Sequence, residues 1–344
     1  MPDSLPSVQA DRSAWRTVLA RTFAGNGDRL RIWAKPAVAA AFIAVVVSFV
    51  DWRESLRLLS DLRPTPGLLA VLLLTVGLAL STLKWQVLLA VHAVRLPFLQ
   101  LLRYYWIGSF FSNLLISTVG GDVVRLGLMY KHARLTTVAA SIVVERASGL
   151  LILLCLAALG LSMRPEYYMT GGLLVALWLL VIGLSGALGL ALFLGSRVGR
   201  WFCTVLESRR WVARPIYELR KMAQAIQYYQ GQIKTITLTL VLSMLFYTEV
   251  ILFDYAVILS IGGDIKLVEV VLIAPLIALV SLVPISVNAL GIAEGAFVLF
   301  YTQAGLAPEE ALAAAVLRRV LVVCYSLGGG VIWLRERPGS RCEP

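Results

Sequence analysis

Histidine is almost missing from this chain: its 344 residues include two, His92 and His132. The four cysteines, Cys155, Cys203, Cys324 and Cys342, form no CxxC pair. A zinc or haem site therefore has too few ligands, and no cofactor is expected. No GxxxxGK[ST] run is present, which excludes a built-in P-loop ATP engine. Charge is also scarce, with Asp, Glu, Lys and Arg at 15% where a soluble domain carries roughly 25%. The longest polar segments, 1–35 and 196–235, are shorter than the roughly 50 residues of a small soluble domain. A fused kinase or transferase is not expected from them. Apolar residues are abundant, at 59% hydrophobic and a mean hydropathy of +0.82. Such a chain cannot wrap a soluble core in polar surface, so it reads as an all-α polytopic membrane protein.

Spanning takes about 20 mostly apolar residues. Runs of that kind lie at 36–52, 67–91, 137–161, 171–195, 236–260 and 311–334. About 35 polar residues precede the first run and no small-residue cleavage site follows it, so it reads as a membrane helix and not a signal peptide. Two further stretches are interrupted: 104–131 by Ser117–Asp122, and 268–304 by Pro284–Gly291. Gly120, Gly121, Asn288 and Gly291 are the expected turn residues of broken or re-entrant hairpins, whose backbone must face protein or a water-filled cavity.

The net charge of +11 does not point to nucleic acid, because the basic residues hug membrane segments. Sorted by side, with both interrupted stretches as hairpins, 22 Lys/Arg fall inside and 5 outside. If 104–119 crosses fully, the count becomes 10 against 17. The positive-inside rule prefers hairpins, with both termini cytoplasmic. The first hairpin then enters from the cytoplasm and the second from outside. Asp122 to Arg146 and Glu294 to Arg318 are both 24 residues apart. These features predict two inverted-topology repeats, 36–165 and 166–335, flanked by cytoplasmic tails 1–35 and 336–344. The second repeat carries a basic insertion, 196–235, with a stripe of Ile216, Leu219, Ala223, Ile226 and Ile233. It reads as an amphipathic helix on anionic lipid head groups, or as a topology signal.

Ionisable residues inside membrane segments are expensive and mark function or pairing. Asp122 stands just past the paired glycines, where the free N–H groups of a new helix attract phosphate; it either caps that helix or joins a site with Arg125 one turn on. Glu294 holds the matching place after the second break. The two acids either meet a cationic head group or a proton, or neutralise Arg146 and Arg318. Glu145 and Arg146 are adjacent and point about 100° apart, so they need separate partners. An arginine fork suits a lipid phosphate. Glu249 and Asp254, five apart and on different faces, are possible proton-coupling groups. Lys84 beside Trp85 reads as a snorkelling interfacial pair. The two histidines allow no Ser-His-Asp arrangement, so no enzyme activity is expected.

The runs SerThrValGlyGlyAspValValArg (Ser117–Arg125), ValValGluArgAlaSerGlyLeu (Val143–Leu150), the Val283–Ala296 segment and LeuArgArg (Leu317–Arg319) resemble a known family. It is the flippase-like family named for the transmembrane region of lysylphosphatidylglycerol synthase, the flippase domain of multiple peptide resistance factor proteins. The resemblance covers about residues 36–335. The family often has a proline just before the first glycine-rich turn, where this chain has Ile116, Ser117 and Thr118. The resemblance implies an inner-membrane flippase that moves a phospholipid or polyprenyl-linked head group between leaflets. Asp122, Arg125, Glu145, Arg146, Glu294 and Arg318 would line its cavity. The soluble aminoacyl-transferase domain of the fused proteins is not found here, so their lysylated substrate is not carried over. The alternatives are a membrane-embedded lipid-modifying enzyme or subunit, and a scaffold docking a separate transferase on 196–235.

Overall fold

The computed structural model describes residues 61–114, 120–163, 183, 228–229, 231–282 and 289–335. The tails, the run 36–52, all of the run 171–195 but Gly183, Asn288 and nearly all of the basic insertion lie outside the described residues.

Among the described residues the regular structure is helical. Four helices make up the first part: α1 (Pro64–Ala90), α2 (Phe98–Leu114), α3 (Gly120–Met129) and α4 (Leu135–Met163). Four make up the second: α5 (Ile233–Ser260), α6 (Leu267–Ser281), α7 (Ile292–Gln303) and α8 (Pro308–Arg335). Proline at the start of α1 and of α8 suits a helical first turn, where its missing N–H costs nothing. The helices α1, α4, α5 and α8 have 27 to 29 residues and are apolar enough to cross a membrane. At 1.5 Å per residue they reach about 40 Å, beyond the roughly 30 Å of a hydrocarbon core, so they can span it tilted. By contrast α2, α3, α6 and α7 have 17, 10, 15 and 12 residues, short of the about 20 that spanning usually takes.

The short helices fold back on each other. In the first pair Gly121 abuts Gly108 and Ser112, Arg125 lies over Tyr105, and His132, just past α3, reaches Gln100 at 3.3 Å. Partners thus descend along α2 as they ascend along α3, which makes an antiparallel hairpin. In the second pair Val270, Ile273 and Ile277 pack with Phe297 and Tyr301, and Gly263 meets Leu306 at the open end.

The two long helices α1 and α5 run antiparallel over their whole length. The Arg63 amide donates to the Ser260 carbonyl at 2.7 Å at one end, and Tyr229 O–H donates to the Leu88 carbonyl at 2.9 Å at the other. There His92 sits between the rings of Tyr228 and Tyr229, and burial lowers its pKa. Because one hairpin follows the end of α1 and the other the end of α5, they enter the bundle from opposite ends.

Each remaining long helix lies on the other part's hairpin. α8 meets α2 through Gly328–Gly330, which lie against Trp106, Ile107 and Phe110; Trp106 Nε1 also donates to the Tyr325 carbonyl at 2.9 Å. α4 meets α6 where Gly160 approaches the Leu272 backbone. In lipid there is little hydrophobic drive between helices, so such close small-residue approaches supply the packing energy.

Candidate functional site

Helix α3 inverts the usual pattern of a soluble helix: Gly121, Asp122, Arg125 and Met129 form its buried stripe. Its polar residues point inward because lipid would solvate them poorly. The absence of a side chain at Gly108 leaves room for the stem of Arg125, which a Cβ would approach to 2.8 Å.

Arg125 is the hub of the first group. Its Nη2 donates to Glu145 Oε2 at 2.7 Å and its Nη1 to Asp122 Oδ1 at 3.2 Å. The guanidinium carbon lies 4.1 Å from the ring centres of both Trp85 and Tyr105, a cation–π clamp worth about 1–2 kcal/mol when desolvated. Tyr105 O–H donates to the other Glu145 oxygen at 2.8 Å. Lys84 Nζ donates to the Glu145 carbonyl at 3.4 Å and to Ser243 Oγ at 3.3 Å, bringing α5 into contact with the group. Trp85 Nε1 donates to Ser141 Oγ at 3.1 Å.

Arg146 differs from Arg125. Its Nη2 lies 3.0 Å from Asp122 Oδ2, yet its side chain is 55% exposed against 3% for Arg125. It is the twelfth residue of α4, about 16 Å along the helix axis. Asp122 therefore joins a sealed arginine to an accessible one at the tip of the hairpin.

The second group is built from α5, α7 and α8. Arg318 Nε donates to Asp254 Oδ1 at 2.7 Å. Arg319 Nε donates to Glu294 Oε1, and the other oxygen of Glu294 accepts the Gly291 amide at 2.7 Å, closing the first turn of α7. Gly291 has φ +84, a left-handed conformation that glycine alone adopts without strain. The Arg318 and Arg319 side chains are 23% and 22% exposed. Glu249 lies apart from these pairs, against Gly77 of α1.

A sequence profile of the family described as "Lysylphosphatidylglycerol synthase TM region" matches residues 32–329. The chain belongs to that family. It is also similar to a "UPF0104 membrane protein" of Methanothermobacter thermautotrophicus, 24% identical over 302 residues that cover 83% of this chain and 88% of the relative. The region matched by the lysylphosphatidylglycerol synthase transmembrane-region family includes both hairpins and both charged groups.

Within that family region the structure revises the sequence reading in three places. Lys84 and Trp85 are not a snorkelling pair: they are 6% and 0% exposed, because Ser243, Ser141 and the Glu145 carbonyl satisfy their donors inside the bundle. Glu294 pairs with Arg319 and not Arg318, which turns instead to Asp254. Helix α3 begins at Gly120, ahead of Asp122. The sequence reading passed over Tyr105 altogether. The signal that could have found it was the run Tyr104–Trp106, aromatic residues with polar tips in the middle of an apolar stretch.

Proposed function

We propose that this chain is a flippase that carries a lipid head group between the leaflets of a bacterial-type inner membrane while the acyl chains stay in the bilayer. The observation that carries the reading is Arg146. Its side chain stays more than half exposed about 16 Å into an apolar helix, a position costly for a cation that does not line a hydrated path. A planar fork of donors is the natural ligand for a phosphodiester or polyprenyl phosphate. Asp122 and Glu294 stand where they can release their arginines to that phosphate or meet a cationic head group. Arg125 and Glu145 hold the wall of the site together, and Arg318 is their proposed counterpart in the second half.

Two inverted repeats with both termini cytoplasmic form the frame of this reading. The order long, short, short, long occurs twice. Exchanging α1–α4 with α5–α8 maps each main packed pair onto another: α2 on α8 becomes α6 on α4, and α1 on α5 maps to itself. The corresponding helices α1 and α5 are antiparallel, as an axis in the membrane plane requires. Such halves can rock about a shared centre and expose it to either side. The chain acts by translocation and not by covalent chemistry, and the basic charge of segment 196–235 suits anionic lipid head groups.

Purified protein in liposomes with a labelled lipid in one leaflet, assayed across several head groups, tests the reading. Translocation should fall at least about tenfold in Arg146→Ala, the loss expected from about 1.4 kcal/mol of lost binding. Translocation unchanged in Asp122→Ala, Arg146→Ala and Glu294→Ala combined would overturn the site. A product lipid of altered mass would mean an enzyme.

A further inference from the structure

Glu249 is a buried charge that the head-group site does not use. It is 6% exposed and is the seventeenth residue of the 28 in α5, about 24 Å from its start. Among the described residues it makes no ion pair and no hydrogen bond. Its carboxyl occupies the space a side chain at Gly77 would take: a Cβ there would lie 3.1 Å from Oε1 and closer still to Oε2. Gly77 and Glu249 are 172 residues apart, the offset that also relates Asp122 to Glu294. Where the equivalent helices α1 and α5 cross, one contributes bare backbone and the other a carboxyl that fills the gap.

The charges around it do not balance. Asp254 on the same helix and Arg318 on α8 act on Glu249, but Arg318 is already bound by Asp254 Oδ1. The other oxygen of Asp254 is buried without a hydrogen-bond partner. The guanidinium nearest in electrostatic terms is thus taken by Asp254. Other charged groups on the elements packed against α5 are engaged elsewhere. Lys84 of α1 donates to Ser243 and the Glu145 carbonyl, Glu145 and Arg146 of α4 pair with Arg125 and Asp122, and Arg319 of α8 pairs with Glu294. α6 adds only a further acid, Glu269. An ionised, unpaired carboxylate at this depth is strongly disfavoured, and binding a proton removes that penalty. A metal ion is a poor substitute. Residues five apart point about 140° from each other, and among the described residues no three His, Cys, Asp or Glu side chains gather to hold one.

We propose that Glu249 carries a proton at the crossing of α1 and α5 and exchanges it with water as the two halves move, so that lipid translocation is coupled to proton movement. The coupling rests on the flippase reading; the proton site does not, and the two are tested separately.

Infrared difference spectra of the protein in lipid nanodiscs, titrated over roughly pH 5–10, a range that includes documented buried glutamates, report the carbonyl stretch of a protonated carboxylic acid. A band that disappears at alkaline pH is expected, lost in Glu249→Gln and retained in the exposed control Asp264→Asn. Gly77→Ala keeps the acid but crowds it out of its seat, so the midpoint should move to lower pH. The same band in Glu249→Gln, or no such band in the wild type, overturns the proton site. In liposomes with an imposed pH gradient, one proton per lipid should shift the steady-state leaflet ratio up to about tenfold per pH unit. Glu249→Gln should still translocate, without responding to the gradient. Wild-type translocation indifferent to the gradient overturns the coupling alone, whereas absence of all translocation overturns the flippase reading and leaves the infrared result standing.

Discussion

Glu145 shows what a charge deep in the bundle requires. Both carboxylate oxygens are occupied, one by Arg125 at 2.7 Å and the other by the Tyr105 hydroxyl at 2.8 Å, so the desolvation cost of the buried pair is offset by directed bonds. Tyr105→Phe removes one of these and should lower stability by about 1–2 kcal/mol, near the upper end for hydrogen bonds inside membranes. Glu145→Ala leaves Arg125 a weaker claim on Asp122 alone, and removal of a buried partner costs about 3–5 kcal/mol. Thermal unfolding in detergent measures both, and Glu145→Ala should be the more damaging. Equal losses would mean that Arg125 finds compensation in the Trp85 and Tyr105 rings.

At the scale of elements, the hairpins are held by close backbone approach. Gly121 has no room for a side chain beside the Gly108 carbonyl and Ser112, and backbone cannot yield as a flexible side-chain end can. Gly121→Ala should therefore part α2 from α3 and move Asp122 away from Arg146, with a loss of translocation larger than the loss of stability. Melting and flux measured on the same preparation check this; an unaffected flux would mean that the tip tolerates displacement. The first break was legible in part: SerThrValGlyGlyAsp interrupts an apolar run that otherwise looks like one long helix, but Gly120, Gly121 and Asp122, assigned to the turn, stand in the first turn of α3. The tight backbone of the second tip was legible in part: Gly291 adopts the left-handed conformation, and Ala289, with φ 54, adopts it without a glycine to announce it.

For the whole molecule, sidedness is the decisive prediction. In a variant with the four native cysteines replaced, a cysteine at Lys131 should react with a membrane-impermeant reagent from the cytoplasmic face, and one at Lys266 from the opposite face. Lys131 lies at the open end of the first hairpin, beside the end of α1 where His132 meets Gln100, and Lys266 lies just past the end of α5, which runs antiparallel to α1. Labelling of both from one side would contradict the inverted arrangement and, with it, alternating access through a shared centre.

The sequence by itself determined that this is a helical membrane protein, where the four described long helices lie, that two shorter pairs stand between them, and how few charges enter the bundle. These properties follow from local composition and from the length a bilayer demands. The equal spacing of Asp122 to Arg146 and of Glu294 to Arg318, 24 residues each, was also legible. Only the tertiary structure decided which acid holds which arginine. Arg318 and Arg319 are neighbours in sequence that diverge by about 100°, so the rotation and offset of α8 against α5 and α7 send one to Asp254 and the other to Glu294. The same holds for Lys84: whether a lysine reaches the interface or is sealed at 6% exposure depends on the neighbours its helix face meets. Those neighbours are set by packing between segments more than fifty residues apart.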